Sequence, residues 1–202
     1  MKTHETALVL IGYQNDYFSK DGVLRPAIEN CERTDSVLCN TVHLIDSIKE
    51  SDVSIISTPV IFSADYSEMP QADGILAAIK DAGAFREGTP GADIVNELKA
   101  FGDRLIEIPG KRGFNAFVQT DLDAVLAEKG IKNVIFAGAI ASICIDSTAR
   151  AAYEYGYRVF VLEDCTASRT DAEQDLFCGL IFPTYATMTN SKTLMESLSL
   201  IT

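Results

Sequence analysis

The run Asn133-Val134-Ile135-Phe136-Ala137 decides the fold, because it passes without a break into Gly138-Ala139-Ile140-Ala141-Ser142-Ile143-Cys144-Ile145-Asp146-Ser147-Thr148-Ala149-Arg150. The apolar run predicts a strand buried on both faces. The small-residue segment from Thr148 to Tyr155 predicts a helix. Cys144 then sits at a strand-to-helix junction, near a helix's first turn. Unpaired N–H groups and the positive end of the helix dipole favour negative charge there, so the thiol has a physical reason to ionise.

Working outward, the same alternation recurs along the chain. Ala7 to Ile11 is a second unbroken apolar run, closed by Gly12. Val53–Ser57, Arg104–Ile108, Arg158–Leu162 and Ala186–Asn190 supply four more predicted strands. Between them lie predicted helices. Asn30 to Ser51 carries the stripe Val37, Val42, Leu44, Ile45 and Ile48. Gly91 to Phe101 reads as a short helix. Asp121 to Glu128 is capped by Thr120 and ended by Gly130. Asp171 to Leu180 opens with a Thr170/Glu173 capping box, and Lys192 to Leu198 is the last helix. Gln14 to Leu24 reads as a loop. Ser63 to Gly91, rich in Gly and Pro (Pro70 among them), reads as a long excursion over one rim, interrupted by a short helix from Gly74 to Asp81. The pattern predicts an α/β fold: a doubly wound, mainly parallel six-stranded sheet with helices on both faces, in one domain spanning residues 1–202.

Composition excludes several functions. A net charge of −12 over 202 residues argues against non-specific nucleic-acid binding. Five cysteines, an odd number without a CxxC pair, predict no disulfide framework and a reducing cytoplasm. Met1 to Glu5 is polar and leads straight into a strand, unlike a signal peptide, and no apolar run approaches the ~20 residues that span a bilayer. The two histidines, His4 and His43, are too few for a His-rich metal site. Neither GxGxxG nor a Walker A sequence follows a strand, which leaves nucleotide binding resting on fold analogy alone.

Two residues stand out chemically. Cys144 is one. Lys111 is the other, just past the predicted strand that ends at Ile108-Pro109-Gly110. A lysine beside a thiol stabilises the thiolate and attracts a carbonyl-bearing or anionic substrate. Taken singly, a loop lysine is a solvated charge and a lone cysteine a small core residue; spacing alone leaves both readings open. The backbone N–H groups of Ile140 and Cys144 are candidate oxyanion donors.

Three stretches resemble the isochorismatase-like cysteine hydrolases, which include nicotinamidases and N-carbamoylsarcosine amidohydrolases. Leu10-Ile11-Gly12-Tyr13-Gln14-Asn15-Asp16-Tyr17-Phe18 looks like the first-strand motif. Lys111 to Phe117 with Thr120-Asp121-Leu122 looks like the lysine motif, and Gly138 to Thr148 with Ala149-Arg150-Ala151-Ala152 like the nucleophile motif. The resemblance implies Cys144 as nucleophile, Lys111 as supporting lysine and a cis peptide at Ala139–Ile140 that turns the Ile140 N–H toward the oxyanion. It further implies a small amide or ureido substrate, a thioester acyl-enzyme, no cofactor and a homo-oligomer. Tyr17, Phe114 and Ile143 would line the substrate pocket.

Two departures qualify this. The position of the family's catalytic Asp is occupied by Gly12, which can neither take the thiol proton nor hold the lysine. Asp16 is a possible substitute base, with Asp146 and Asp21 weaker ones. The segment Ser57 to Asp65 also lacks the histidines that nicotinamidases carry after the second strand, so no metal is expected. Loss of general acid–base help is worth ~10²–10⁴-fold. The expectation is therefore a slowed or altered amidohydrolase; the alternative is a non-catalytic relative that binds a small molecule or acts as a scaffold.

Overall fold

The computed structural model describes residues 1–69 and 71–198. Pro70 of the rim excursion and the last four positions of the 1–202 unit lie outside the described residues. Six strands form one sheet: β1 (Thr6–Ile11), β2 (Ser54–Thr58), β3 (Leu105–Glu107), β4 (Asn133–Ala139), β5 (Arg158–Ala167) and β6 (Thr187–Thr189). Every pairing is parallel, and the order is β3-β2-β1-β4-β5-β6. The helices on the first half of the chain are α1 (Asn15–Phe18), α2 (Cys31–Ile48), α3 (Gly74–Asp81) and α4 (Asn96–Lys99). Those on the second half are α5 (Leu122–Glu128), α6 (Asp146–Glu154), α7 (Asp171–Leu176) and α8 (Ser191–Ser197).

β1 shows why its sequence is an unbroken apolar run. Leu8 and Leu10 face a core shared with Leu44, Ile45 and Ile48 of α2 and Leu194 of α8. Ala7, Val9 and Ile11 face the opposite core, with Leu122 and Leu126 of α5 and Ala149 and Ala152 of α6. Both faces are covered, so alternation is lost. Each such fully buried Leu or Ile contributes roughly 2 kcal/mol of apolar burial.

The topology also fixes where a ligand goes. The chain runs outward from β1 to β2 and β3, then returns to place β4 on the other side of β1. In an open α/β sheet the crevice at that switch point, beyond the carboxyl ends of the strands, is the natural ligand site. Register brings Ile11 level with Thr58 of β2 and Gly138 of β4. Gly12, Pro59 and Ala139 therefore leave the sheet at one rim. Gly138 makes this approach possible: a Cβ there would lie 1.8 Å from the Ile11 carbonyl oxygen.

Several predicted boundaries move, each for a visible reason. The Gln14–Leu24 loop contains the single turn α1, because the Gln14 carbonyl accepts from the N–H groups of Tyr17 and Phe18. The helix expected over Gly91–Phe101 is broken: only a 3₁₀ turn at Pro90–Ala92 and the short α4 remain. Between them the backbone is claimed by the α1 loop, with Asn15 N–H donating to Asp93 and Val95 N–H to Tyr13. β5 continues to Ala167, past a register shift against β4 between Phe136 and Gly138. α7 widens after Leu176 into a π turn, Phe177–Ile181. Thr170 caps α7 by accepting from Glu173 N–H at 3.1 Å, but the Glu173 carboxylate reaches back to Arg169 N–H. Asp121, not Thr120, holds the cap position of α5, while the Thr120 hydroxyl accepts from Leu122 N–H. All five cysteines are free; Cys31 and Cys39 are exposed, and Cys144, Cys165 and Cys178 are buried. No helix among the described residues is long and apolar enough to cross a membrane.

Candidate active site

Cys144 lies in a π turn, Ala141–Ile145, that joins β4 to α6. The turn is wide because the Ile140 carbonyl accepts from both Ile143 N–H (3.1 Å) and Ile145 N–H (3.2 Å). π turns of this kind concentrate at functional sites. The Ala139–Ile140 peptide bond that leads into the turn is cis. The junction is tied down on both sides of Cys144. Ser142 Oγ donates to Glu173 of α7 at 2.6 Å, and Thr148 Oγ1 donates to the Cys144 carbonyl at 2.7 Å. Burial pushes the Glu173 carboxyl up, but Arg169 and Ser142 outweigh that and hold it below its usual range.

Lys111 is fully buried. Its backbone forms a parallel bridge with Val60, and its carbonyl accepts from Ile61 N–H, which fixes the loop after β3 against the loop after β2. Its Nζ donates to the Gly113 carbonyl and lies 3.6 Å from Cys144 Sγ. Burial pulls the ammonium's pKa below its ordinary value; the cysteine beside it opposes that shift.

The cavity in front of Cys144 is small and apolar. Gly12, Tyr17, Phe114, Ala139, Ile143 and Cys144 form its floor and one side. Val60, Phe62 and Phe85 come from the rim excursion and its approach, and Ile75, Leu76 and Ile79 of α3 close it. Among the described residues, no charged side chain is in the lining. The volume is about 20 Å³, room for roughly one water. Any larger ligand needs α3 or the half-exposed Phe114 to give way. Tyr17 is buried with its ring edge-on to Phe85, 5.1 Å between centroids. Burial, then Cys144 and Asp16, push its phenol well above the ordinary range.

The structure thus brings Cys144, Lys111, Gly12, Tyr17, Phe114 and Ile143 together, with the Ile140 backbone at the turn. Asp16 goes elsewhere. It is 4% exposed, its Oδ2 accepts from Phe85 N–H at 2.6 Å, and it borders a different depression with Ser19, Gly22 and Gly91. Burial raises its carboxyl pKa against the opposing N–H groups of Phe85 and Val23. Asp146 is held by Arg150 at 2.9 Å and by the Tyr185 hydroxyl at 2.8 Å, and Asp21 is exposed. Gly12 itself has φ +73°, and a Cβ built on it would lie 2.6 Å from the Ala139 carbonyl oxygen. The backbone has closed over the place a side chain would start from.

The residues missed from sequence are the cavity walls Phe62, Phe85, Ile75, Leu76 and Ile79. The i, i+4 pair Ile75/Ile79 in the predicted short helix was the one available signal. A metal does not fit the segment after β2. Its one acid, Asp65, is engaged by Ser63 and Ser67, both histidines are exposed elsewhere, and the described residues hold no cluster of three metal-ligating side chains.

Comparison with known proteins places the chain in a family and agrees with the fold. The chain is 27% identical over 187 residues to the ureidoacrylate amidohydrolase RutB of Agrobacterium fabrum, covering 82% of this chain and 77% of that one. It is 28% identical over 162 residues to nicotinamidase 3 of Arabidopsis thaliana, covering 80% and 73%. A crystal structure of a cysteine hydrolase from Pseudomonas syringae pv. phaseolicola superposes with a TM-score of 0.86 at 18% identity, over 100% of this chain and 96% of that one, a likeness of fold. The model of the isochorismatase domain matches residues 6–193, the whole sheet and every residue around the cavity, and on that match the chain belongs to the isochorismatase domain family.

Proposed function

We propose that the protein hydrolyses the C–N bond of a small amide or ureido compound, with Cys144 as nucleophile. The observation that carries this is the free Cys144 thiol, 8% exposed to the cavity, with the buried Lys111 amine 3.6 Å from its sulfur. Sγ adds to the substrate carbonyl, and the N–H groups of Ile140 and Cys144 receive the oxyanion. The amine departs, and water hydrolyses the resulting thioester. The named amidohydrolase and nicotinamidase relatives support the reaction class. The uncharged lining of Tyr17, Phe62, Phe85, Phe114 and Ile143 supports an apolar or aromatic acyl group rather than one bearing a carboxylate. Asp16 is spoken for by Phe85 N–H, which disfavours it as the base. The family resemblance and the unpaired cysteines also support a homo-oligomer in a reducing compartment, to be checked by light scattering and cell fractionation.

The test is a panel of neutral aliphatic and aromatic amides and ureas, read by amine release, with mass spectrometry for an acyl adduct on Cys144. An adduct and turnover that both vanish in Cys144→Ala support the reading. Gly12 favours a second reading, a relative that binds a small molecule without turning it over. No turnover on any amide, together with alkylation of Cys144 no faster than of exposed Cys31, would put that reading first.

A further inference from the structure

We propose that Lys111 itself carries the proton of Cys144, so that this protein works with a cysteine–lysine pair and no carboxylate. The proposal rests on the hydrolase reading above and assigns the part of it that Gly12 leaves without a residue.

Geometry leaves one candidate. A proton acceptor for a thiol must lie within hydrogen-bond reach of it. Lys111 Nζ, at 3.6 Å from Sγ, does. No acidic side chain and no histidine lines the cavity. Position 12 has no side chain, and the Ala139 carbonyl oxygen occupies the approach to it. Asp16 and Asp146 are each bonded to other partners. Nor, among the described residues, is any acid paired with Lys111: its Nζ meets the Gly113 carbonyl and the thiol.

The electrostatics make the amine able to do this. A surface lysine is a poor base at neutral pH because its ammonium holds the proton. A buried ammonium without a carboxylate partner loses much of that hold. The titratable groups that face Lys111 and its thiol are few. Cys144 comes from the π turn and Tyr17 from α1, with Asp16 behind Tyr17 on the same turn and Arg169 acting on Tyr17 from the end of β5. A carboxylate at position 12 would pin the ammonium charged. Its absence frees the amine to cycle.

The cycle balances with water as the only co-reactant. The Nζ lone pair takes the thiol proton, and the sulfur pair forms the S–C bond while the carbonyl π pair moves to oxygen. On collapse the C–N bond breaks, and the departing nitrogen takes the proton from the Lys111 ammonium. The neutral amine next takes a proton from water as its oxygen adds to the thioester carbon. On the second collapse sulfur leaves and recovers that proton from Lys111.

Lys111→Arg separates a proton carrier from a fixed charge, because guanidinium keeps its charge and does not release a proton in proteins. With circular dichroism confirming the fold, Lys111→Arg is expected to keep rapid alkylation of Cys144 by iodoacetamide while turnover falls ~10²-fold or more. Lys111→Met should slow alkylation near neutral pH as well, by about tenfold. If the larger guanidinium disrupts the site, Lys111→Ala with added small primary amines replaces it. Rescue that rises with amine basicity supports the proposal, and rescue indifferent to basicity overturns it. In the wild type, ¹⁵N NMR of Nζ gives an answer without any variant. Lys111 should titrate below the ordinary lysine value of ~10.4, with a lower midpoint once Cys144 is alkylated. Wild-type turnover in Lys111→Arg, or an amine that titrates at or above the ordinary lysine value, overturns the proposal and leaves the hydrolase reading standing. A titrating Lys111 with no amide hydrolysed would instead sink the hydrolase reading.

Discussion

The β4–α6 junction and the β1–α1 loop face one another across the same cavity, and their polar atoms point in opposite directions. At the junction, Ser142, Thr148 and Glu173 hold a turn whose thiol, Cys144 Sγ, opens inward. In the β1–α1 loop, polar side chains turn away from the cavity to staple backbone. Gln14, fully buried, donates to the carbonyls of Val60 (2.8 Å) and Ala92 (2.6 Å) and accepts from Val60 N–H (2.8 Å). Asn15 donates to the Pro90 carbonyl, and Asp16 accepts from Phe85 N–H. The letters of the first-strand motif therefore divide into those that hold the rim, Gln14, Asn15 and Asp16, and those that line the cavity, Gly12 and Tyr17. Here the rim-holding letters are in place, and at Gly12 the cavity is lined by backbone alone.

That contrast can be broken from either side. The largest effect belongs to the junction. Cys144→Ala should lower amide turnover by up to ~10⁶-fold, the scale reached when a hydrolase loses its nucleophile, with an unchanged urea midpoint. A residual rate close to wild type would move the chemistry off the junction. Gln14→Leu acts on the opposite loop. It strands three buried backbone groups, and urea unfolding should show a loss of about 3 kcal/mol or more. A loss near zero would mean that water replaces the staple. Gly12→Asp should fail to raise turnover and should lower thermal stability by about 1–3 kcal/mol, because the new side chain meets the Ala139 carbonyl at a positive φ. A gain in turnover with stability intact would show the backbone opening to receive it.

The smallest effect is a slope. Asp16's carboxyl pKa is raised by burial, so the folded state holds that proton to higher pH than the unfolded chain does. Its share of stability is then fully present below the ordinary Asp value of ~3.9 and falls as pH rises through the raised folded value. Asp16→Asn retains an acceptor for Phe85 N–H and removes that fall. Stability of the two proteins measured from pH 3 upward should diverge over that window, the wild type falling behind the variant as pH rises. Parallel curves would contradict the burial argument.

Sequence made the strands legible for a simple reason. β1 and β4 are covered on both faces, which leaves an unbroken apolar run. The helix expected over Gly91–Phe101 was misread because its propensity yields to backbone pairing with Tyr13 and Asn15, partners some eighty residues away. The cavity walls from the excursion, Phe62 and Phe85, follow no periodicity and so gave no signal. Cys144, Lys111 and the anomaly at Gly12 were visible as letters. Their meeting at 3.6 Å, and the closure of the Ala139 carbonyl over Gly12, depend on three strand ends sharing one level, which no local window contains.

The Ala139 carbonyl also bears on mutational paths. With its oxygen 2.6 Å from where a Cβ at position 12 would be built, any non-glycine residue there meets main chain, and main chain cannot be trimmed by a neighbouring substitution. A route that installs an acid at this position must first shift the end of β4, and that end also sets the turn holding Cys144. Intermediates along such a route disturb the Cys144 turn before they gain an acid. Single-residue libraries at position 12 should return glycine alone among well-folded, active clones, and acids should emerge only from libraries that vary the two strand ends together.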